Sequence, residues 1–245
     1  MEELYHFKNK NYKFNQNALF KKLLKIAKDK NTASLIESKI FDKGDFLVRE
    51  NQLVTGFYFI LKGKIKVYNS GSKNKKQILK LAAKGDLIGI SAFNSAYYGA
   101  SAVAEEKVEA YFITPKNLEI LLSKYNDFSL TLIKALAAKV RNYEIRQKHL
   151  SLLSATERVI DALLLISAKF GVKTTEGILI EHCTSRKDIS SFSSVSLENT
   201  IRTLSKLQKM NYIDIGSKLI VIKNKLELVN LIKKSSLMDY KSENN

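Results

Sequence analysis

Four polar side chains near the C-terminal end of the chain could contact the bases and phosphates of a nucleic acid. Glu198, Asn199 and Arg202 fall on one side of a helical pattern, and Lys206 follows one turn later. Arginine pairs with guanine through two hydrogen bonds, glutamate accepts from the amino group of cytosine, and asparagine pairs with adenine. Lys206 and Arg186 suit phosphate groups instead. The pattern predicts DNA contacts, with a protein-binding surface as the alternative because any exposed helix displays polar residues.

A tight turn between two short helices is expected to hold these side chains in place. Ser185 and Asp188 form a capping-box pattern, which begins a helix whose Ile189 and Phe192 face inward. Ser196 is the candidate N-cap of the second helix and also a candidate DNA contact. The inward residues predicted for that helix, Leu197–Lys209, are Ile201, Leu204 and Leu207. Such a helix-turn-helix unit braces its second helix so that the polar side can enter the major groove.

The surrounding pattern predicts a C-terminal winged domain over residues 154–245. Ser154-Ala155-Thr156-Glu157 is a capping box that begins a helix, and Gly171 ends it. After the helix-turn-helix, the β-rich runs Tyr212–Ile215 and Leu219–Ile222 flank Gly216-Ser217-Lys218. That arrangement is typical of a β-hairpin, and we interpret it as the wing.

A long helix is predicted upstream, over residues 129–153, and it could join two copies of the chain. Glycine is absent from residues 100–170, and apolar residues recur at near-heptad spacing. The predicted homodimer interface consists of Leu130, Ile133, Leu136, Ala137 and Val140. The alternative is that the same apolar side packs against its own domain. We interpret the segment as a dimerisation helix and linker.

The N-terminal half predicts a small antiparallel β-roll, over residues 18–128, after an N-terminal extension at 1–17. An amphipathic helix over Asn17–Lys30 comes first. The predicted strands are Phe46–Val48, Gly56–Leu61, Ile65–Tyr68, Ile78–Leu81 and Val108–Ile113. Gly44, Gly63 and Gly85 fall between strands, where a positive φ costs glycine little. The expected fold class is therefore α+β, with a β-roll, a long helix and a winged helix-turn-helix.

The composition narrows the range of functions. Cys183 is the only cysteine, and His6, His149 and His182 lie far apart, so neither a disulfide, a metal site nor a cofactor is expected. The net charge of +17 favours a polyanionic partner, although the lysines are spread along the chain. No apolar run is long enough to span a membrane or to act as a signal peptide, so we expect a cytoplasmic protein without a membrane partner.

Four segments resemble the Crp/Fnr family, the superfamily of the cyclic-AMP receptor protein. Residues 56–68 (GFYFILKGKIKVY) and 84–89 (KGDLIG) are similar to its cyclic-nucleotide-binding-type roll. Residues 185–189 (SRKDI) and 196–204 (SLENTIRTL) are similar to its helix-turn-helix patterns, close to T-R-x-E-I and S-R-E-T-V-x-R-x-L. The resemblance implies that Glu198 and Arg202 read bases. Leu197 replaces the usual arginine, which indicates an altered target such as an A·T-rich one.

The roll departs from the nucleotide-binding members of that family. Ile90 follows Gly89 where those members have glutamate, and Tyr97 and Tyr98 stand near the expected arginine. Without the ribose-binding carboxylate and the phosphate-pairing guanidinium, cyclic AMP is not expected to bind. The resemblance places the candidate ligand pocket at Ile88, Gly89, Ile90, Ser91, Tyr98 and Ser101.

The sequence thus predicts a homodimeric, sequence-specific transcription regulator that binds a palindromic operator in double-stranded DNA and is not an enzyme. The resemblance also implies contact between an exposed roll surface and RNA polymerase. One alternative keeps the fold and makes a different nucleotide or small ligand the effector. A remote alternative is a cupin-like metal enzyme, but its barrel would need clustered histidines, and none lies between Lys8 and Lys148.

Overall fold

A computed structural model describes residues 10–71, 75–182 and 185–232, with side chains from residue 18 onward. Two compact units divide between Arg146 and Gln147. His6, Cys183 and the terminal parts of the predicted extension and winged domain lie outside the described residues. Within the described residues, no helix is long and apolar enough to cross a membrane. No group of three or more histidine, cysteine or acidic side chains among them could hold a metal ion.

The described part of the first unit contains two four-stranded antiparallel sheets and three α-helices. Helix α1 covers Lys10–Lys28, α2 covers Pro115–Lys124 and α3 begins at Asn126. The strands are β1 Glu37–Phe41, β2 Phe46–Val48, β3 Phe57–Lys62, β4 Ile65–Ser70, β5 Lys76–Ala82, β6 Leu87–Ile88, β7 Ser101–Ala104 and β8 Val108–Ile113. One sheet has the order β1-β8-β3-β6 and the other β2-β7-β4-β5. The α+β roll predicted from the sequence is confirmed.

The two faces of β3 explain why the roll needs both sheets and helices. Ile60 faces a core shared by the two sheets, where it packs with residues such as Ile65 and Val108. Phe57 and Phe59 face the other side and pack against the helices, together with Leu19 of α1. Successive residues of a strand point to opposite faces, so an apolar strand requires two apolar partners. The helices therefore cover what would otherwise be an exposed aromatic surface.

One helix start and three strands of the first unit differ most from the sequence-based prediction. Helix α1 begins at Lys10 rather than Asn17, so the helix enters the predicted extension. Strands β1, β6 and β7 were not predicted, because β1 is largely exposed, β6 has two residues and β7 consists of small residues. By contrast, Gly44, Gly63 and Gly85 have the predicted positive φ angles of 94°, 99° and 87°. At Gly63 a Cβ atom would also lie 2.6 Å from the carbonyl oxygen of Lys107.

Helix α3 is 27 residues long, Asn126–Leu152, and its faces differ. Phe128, Leu132 and Ala135 are buried against the roll and α1. Leu130, Ile133 and Val140 point away from this core, with exposed fractions of 52%, 61% and 57%. Ala137 is also exposed, whereas Leu136 is half-buried against the domain's own helical core. One side of the helix therefore packs within its own domain, and the side that carries Leu130, Ile133, Ala137 and Val140 is exposed.

Within its described residues, the second unit is built on a four-stranded sheet and four further helical segments. Helix α4 covers Ala155–Phe170, α5 covers Arg186–Ser193 and α6 covers Leu197–Lys209. The strands are β9 Val172–Thr174, β10 Gly177–Ile180, β11 Ile213–Ile215 and β12 Ile220–Ile222, in the sheet order β11-β12-β10-β9. Helical residues 225–232 follow. The capping box at Ser154 and the hairpin around Gly216 are confirmed.

Candidate DNA-binding site

The turn between α5 and α6 is fixed by local hydrogen bonds. Ser194 adopts the left-handed conformation at φ 54°, which ends α5. The Ser190 hydroxyl donates to the carbonyl oxygen of Val195 at 2.6 Å, and the Val195 side chain is buried. Ser196 then caps α6 by accepting a hydrogen bond from the Asn199 N–H at 3.3 Å. These contacts set the direction in which α6 leaves the turn.

The buried side of α6 differs from the prediction at one residue. Leu204 and Leu207 are buried as expected, but Ile201 is 46% exposed, so its predicted inward position is wrong. Thr200 and Thr203 are buried instead. The Thr200 hydroxyl donates to the carbonyl oxygen of Ser196 at 2.9 Å, which satisfies it without water. The spacing of three residues between Ile201, Leu204 and Leu207 predicted that all three are buried, whereas Ile201 points outward in the structure.

The exposed side of α6 brings together the residues proposed to read bases. Glu198, Asn199, Arg202 and Lys206 are all exposed there. An Arg202 guanidinium N–H donates to Glu198 Oε1 at 2.8 Å, one helical turn away. Both side chains are more than 70% exposed, so this ion pair adds little stability. It can instead hold the guanidinium in a fixed orientation above the helix.

The remaining predicted DNA contacts lie around this helix. Arg186 is half-buried in the first turn of α5, and Ser196 is exposed at the start of α6. A helix N-terminus presents free N–H groups that favour phosphate. Sequence reasoning missed Lys187, which is exposed beside Arg186, and gave no role to Lys218, which is exposed at the tip of the hairpin. The sequence signals for a DNA contact were the positive charge of both lysines, the position of Lys187 beside a helix cap and the position of Lys218 in a tight turn.

Two apolar side chains complete the exposed surface of α6. Leu197 is 48% exposed, and Ile201 lies one turn further along the helix. Apolar side chains in the major groove can contact the methyl group of thymine. The helix therefore offers hydrogen-bonding groups with an apolar pair beside them.

The six predicted ligand-pocket residues lie on β6, on β7 and on the segment between them. Ile88 and Tyr98 are buried in the core between the sheets. The hydroxyl of Ser101 accepts a hydrogen bond from the Glu50 N–H at 3.0 Å. Gly89 precedes a 3-10 turn, Ile90–Ala92, in which Ile90 packs toward the helices and Ser91 is exposed. The six residues are neighbours along the roll, but the Tyr98 ring occupies the space beside Gly89.

Comparisons with known proteins agree with these two units. Residues 38–125 match the cyclic nucleotide-binding domain family, and residues 157–231 match the Crp-like helix-turn-helix domain family. The transcriptional activator protein Anr of Pseudomonas aeruginosa is 23% identical over 186 residues, covering 76% of each chain. The anaerobic regulatory protein of Bacillus subtilis is 25% identical over 184 residues, covering 74% of this chain and 77% of the relative.

The fold is also found in a solved structure. FixK2 from Bradyrhizobium japonicum superposes with a TM-score of 0.69 at 22% sequence identity, covering 80% of this chain and 96% of that chain. The chain belongs to the Crp/Fnr family of transcription regulators and carries the DNA-binding helix-turn-helix domain of that family.

Proposed function

We propose that this protein is a homodimeric regulator that reads a two-fold symmetric DNA sequence with α6. The observation that carries the proposal is the exposed Glu198–Arg202 pair, in which the carboxylate orients a guanidinium at 2.8 Å. An oriented guanidinium can donate two parallel hydrogen bonds to guanine. Asn199 would contact adenine or a phosphate, and Lys206, Arg186 and Ser196 would contact phosphates.

The exposed stripe on α3 supports the homodimer. Leu130, Ile133, Ala137 and Val140 are spaced by three, four and three residues, which is the a/d pattern of a coiled coil. Large apolar side chains at this spacing lose contact with water when a second α3 packs against them. Leu136 lies at the edge of this seam, since its half-buried side chain already contacts its own domain. A dimer formed in this way would present two copies of α6 to two half-sites.

The domain assignment follows from these roles. We assign 18–128 to a sensor-type roll, 129–153 to the dimerisation helix and linker, and 154–245 to DNA binding, preceded by the extension at 1–17. The roll lacks the glutamate and arginine that would hold cyclic AMP, so regulation by that nucleotide is not part of the proposal. An exposed roll surface is proposed to contact RNA polymerase, in the cytoplasm, where such regulators meet the chromosome.

Selection from a random duplex pool tests the proposal. The purified chain is incubated with the pool at fixed physiological salt, and the bound sequences are compared with those selected by Lys21→Ala. Lys21 is an exposed lysine of α1, in the other unit, so its loss controls for a change in net charge alone. We expect the same two-fold symmetric motif from both proteins. Weak binding without a motif, and with steep salt dependence, would refute sequence-specific recognition.

A further inference from the structure

The hydroxyl group of Tyr98 is fully hydrogen-bonded inside the roll. It donates to the carbonyl oxygen of Gly56 at 2.7 Å and accepts from the N–H groups of Thr55 and Gly56, each at 3.1 Å. The Thr55 hydroxyl lies 3.3 Å away. A phenol has one donor and two acceptor positions, and the three backbone contacts use all of them. Tyr98 has 4% of its surface exposed, and its hydroxyl is hydrogen-bonded to the protein alone.

Gly89 makes room for the Tyr98 ring, and Gly56 makes room for the ring of Phe112. At Gly89, which has a φ of +83°, a Cβ atom would lie 3.2 Å from Tyr98 Cε1 and 3.2 Å from the Gly56 carbonyl oxygen. At Gly56, a Cβ atom would lie 2.4 Å from the ring of Phe112. A side chain at Gly89 would push against the Tyr98 ring, and a side chain at Gly56 would push against Phe112 and the carbonyl oxygen of Ile113 in β8. The space beside Gly89 thus fits a phenol ring, and Tyr98 of the same chain supplies that ring.

The residue after each glycine packs toward α3. Phe57 follows Gly56 and is buried with Phe128 and Leu132 of α3. Ile90 follows Gly89 and lines the same apolar cluster. Tyr98 contacts both Gly56 and Gly89 and so influences their separation. It therefore also influences the positions of Phe57 and Ile90, which pack toward α3. Packed cores transmit such displacements because they have few voids.

We propose that Tyr98 is a built-in ligand of the roll, which holds α3 in the DNA-binding arrangement without an added small molecule. This inference rests on the proposed function, because DNA binding is its readout. The inference assigns to Tyr98 a regulatory role in addition to its packing in the core. The chemical class of the occupant is a phenol, recognised by two consecutive N–H groups and one carbonyl oxygen.

Chemical replacement of the side chain tests this role. Tyr98→Ala removes the phenol, and p-cresol, which has the chemical structure of the tyrosine side chain, is added to refill the space. We expect the wild type to bind its selected duplex without any additive. Tyr98→Ala should bind at least about tenfold more weakly, within the range of typical coupling between sites, and saturating p-cresol should restore most of the affinity. p-Cresol should leave the wild type unchanged.

Ile65→Ala is the matched control, because Ile65 is fully buried in the same core between the sheets. It loses apolar contacts but not the phenol site, so p-cresol should not restore any loss of DNA binding. Thermal unfolding of each variant, with and without p-cresol, reports separately whether the compound binds. Binding of p-cresol to Tyr98→Ala without a change in DNA affinity would overturn the proposal.

The outcomes also separate this inference from the proposed function. If the wild type selects a motif but Tyr98→Ala binds it equally well, the built-in ligand is refuted and the regulator stands. If the wild type selects no motif, the proposed function itself fails. If Tyr98→Ala does not fold, Tyr98→Phe is tested in its place, because it keeps the ring and removes the three backbone hydrogen bonds. Severalfold weaker DNA binding by Tyr98→Phe supports the proposal. DNA binding with wild-type affinity overturns it.

Discussion

His149 Nδ1 lies 3.0 Å from Asp161 Oδ1, and the two side chains connect the last turn of α3 to the middle of α4. Asp161 is fully buried and His149 is 6% exposed. A buried carboxylate is costly unless hydrogen-bonded, so the contact fixes how the C-terminal end of α3 packs within the second unit.

Removing the imidazole should therefore destabilise the second unit. His149→Ala takes one hydrogen-bond partner from the buried Asp161 carboxylate, and we expect it to lower the free energy of unfolding by about 1–3 kcal/mol. Denaturant titration followed by circular dichroism measures the change. Lys148→Ala, at the exposed neighbouring position, is the control and should change stability little. Equal stability of the two variants would show that the histidine contact contributes nothing.

The seam on α3 should be sensitive to charge. Ile133→Glu would place a carboxylate from each protomer in an apolar interface, so the dimer dissociation constant should rise by at least about tenfold. Sedimentation equilibrium measures that constant directly. Ile120→Glu makes the same change at an isoleucine of α2 that is 40% exposed and lies outside the seam. A dimer equally weakened by both substitutions would argue against this interface.

The apolar pair on α6 should contribute to recognition of thymine. Replacing thymine by uracil in the selected duplex removes one methyl group, and wild-type binding should weaken by about 1 kcal/mol at each thymine contacted by Ile201. Ile201→Ser should bind both duplexes equally. Leu226→Ser, at a 68% exposed residue of the same unit, should retain the wild-type difference. The idea fails if no thymine position distinguishes the wild type from Ile201→Ser.

The phosphate contact assigned to Lys206 can be recognised by its salt dependence. Lys206→Ala should weaken binding to all sequences similarly and reduce the slope of log affinity against log salt by about 1 per lysine lost. Affinities are measured over a series of salt concentrations. Lys21→Ala removes an equally exposed lysine from α1 and should leave the slope unchanged. A change in base preference for Lys206→Ala would reassign it from phosphate to base recognition.

The sequence predicted what local patterns determine. The cap at Ser154, the turn after Ser193 and the exposed position of Arg202 depend on neighbours within one or two helical turns, and all agree with the structure. The predicted inward orientation of Ile201 was wrong. The Thr200 hydroxyl donates a hydrogen bond within the helix, so Thr200 can be buried in place of an apolar residue.

Long-range contacts explain what the sequence could not predict. Tyr98 reaches Gly56, 42 residues earlier, and no spacing rule relates the two positions. Strand β6 is likewise a strand only because Leu87 and Ile88 pair with β3. The candidate ligand pocket stays a prediction, and the contact between Tyr98 and Gly56 became apparent only from the fold.

Base recognition by Arg202 is tested most directly by a cycle of protein and DNA substitutions. Wild type and Arg202→Ala are titrated at fixed salt with the selected duplex and with duplexes that change each base pair in turn. We expect one guanine position per half-site at which the wild type discriminates by about 1–3 kcal/mol and Arg202→Ala does not. Discrimination retained at every position by Arg202→Ala would contradict the claim that this side chain of α6 reads the DNA sequence.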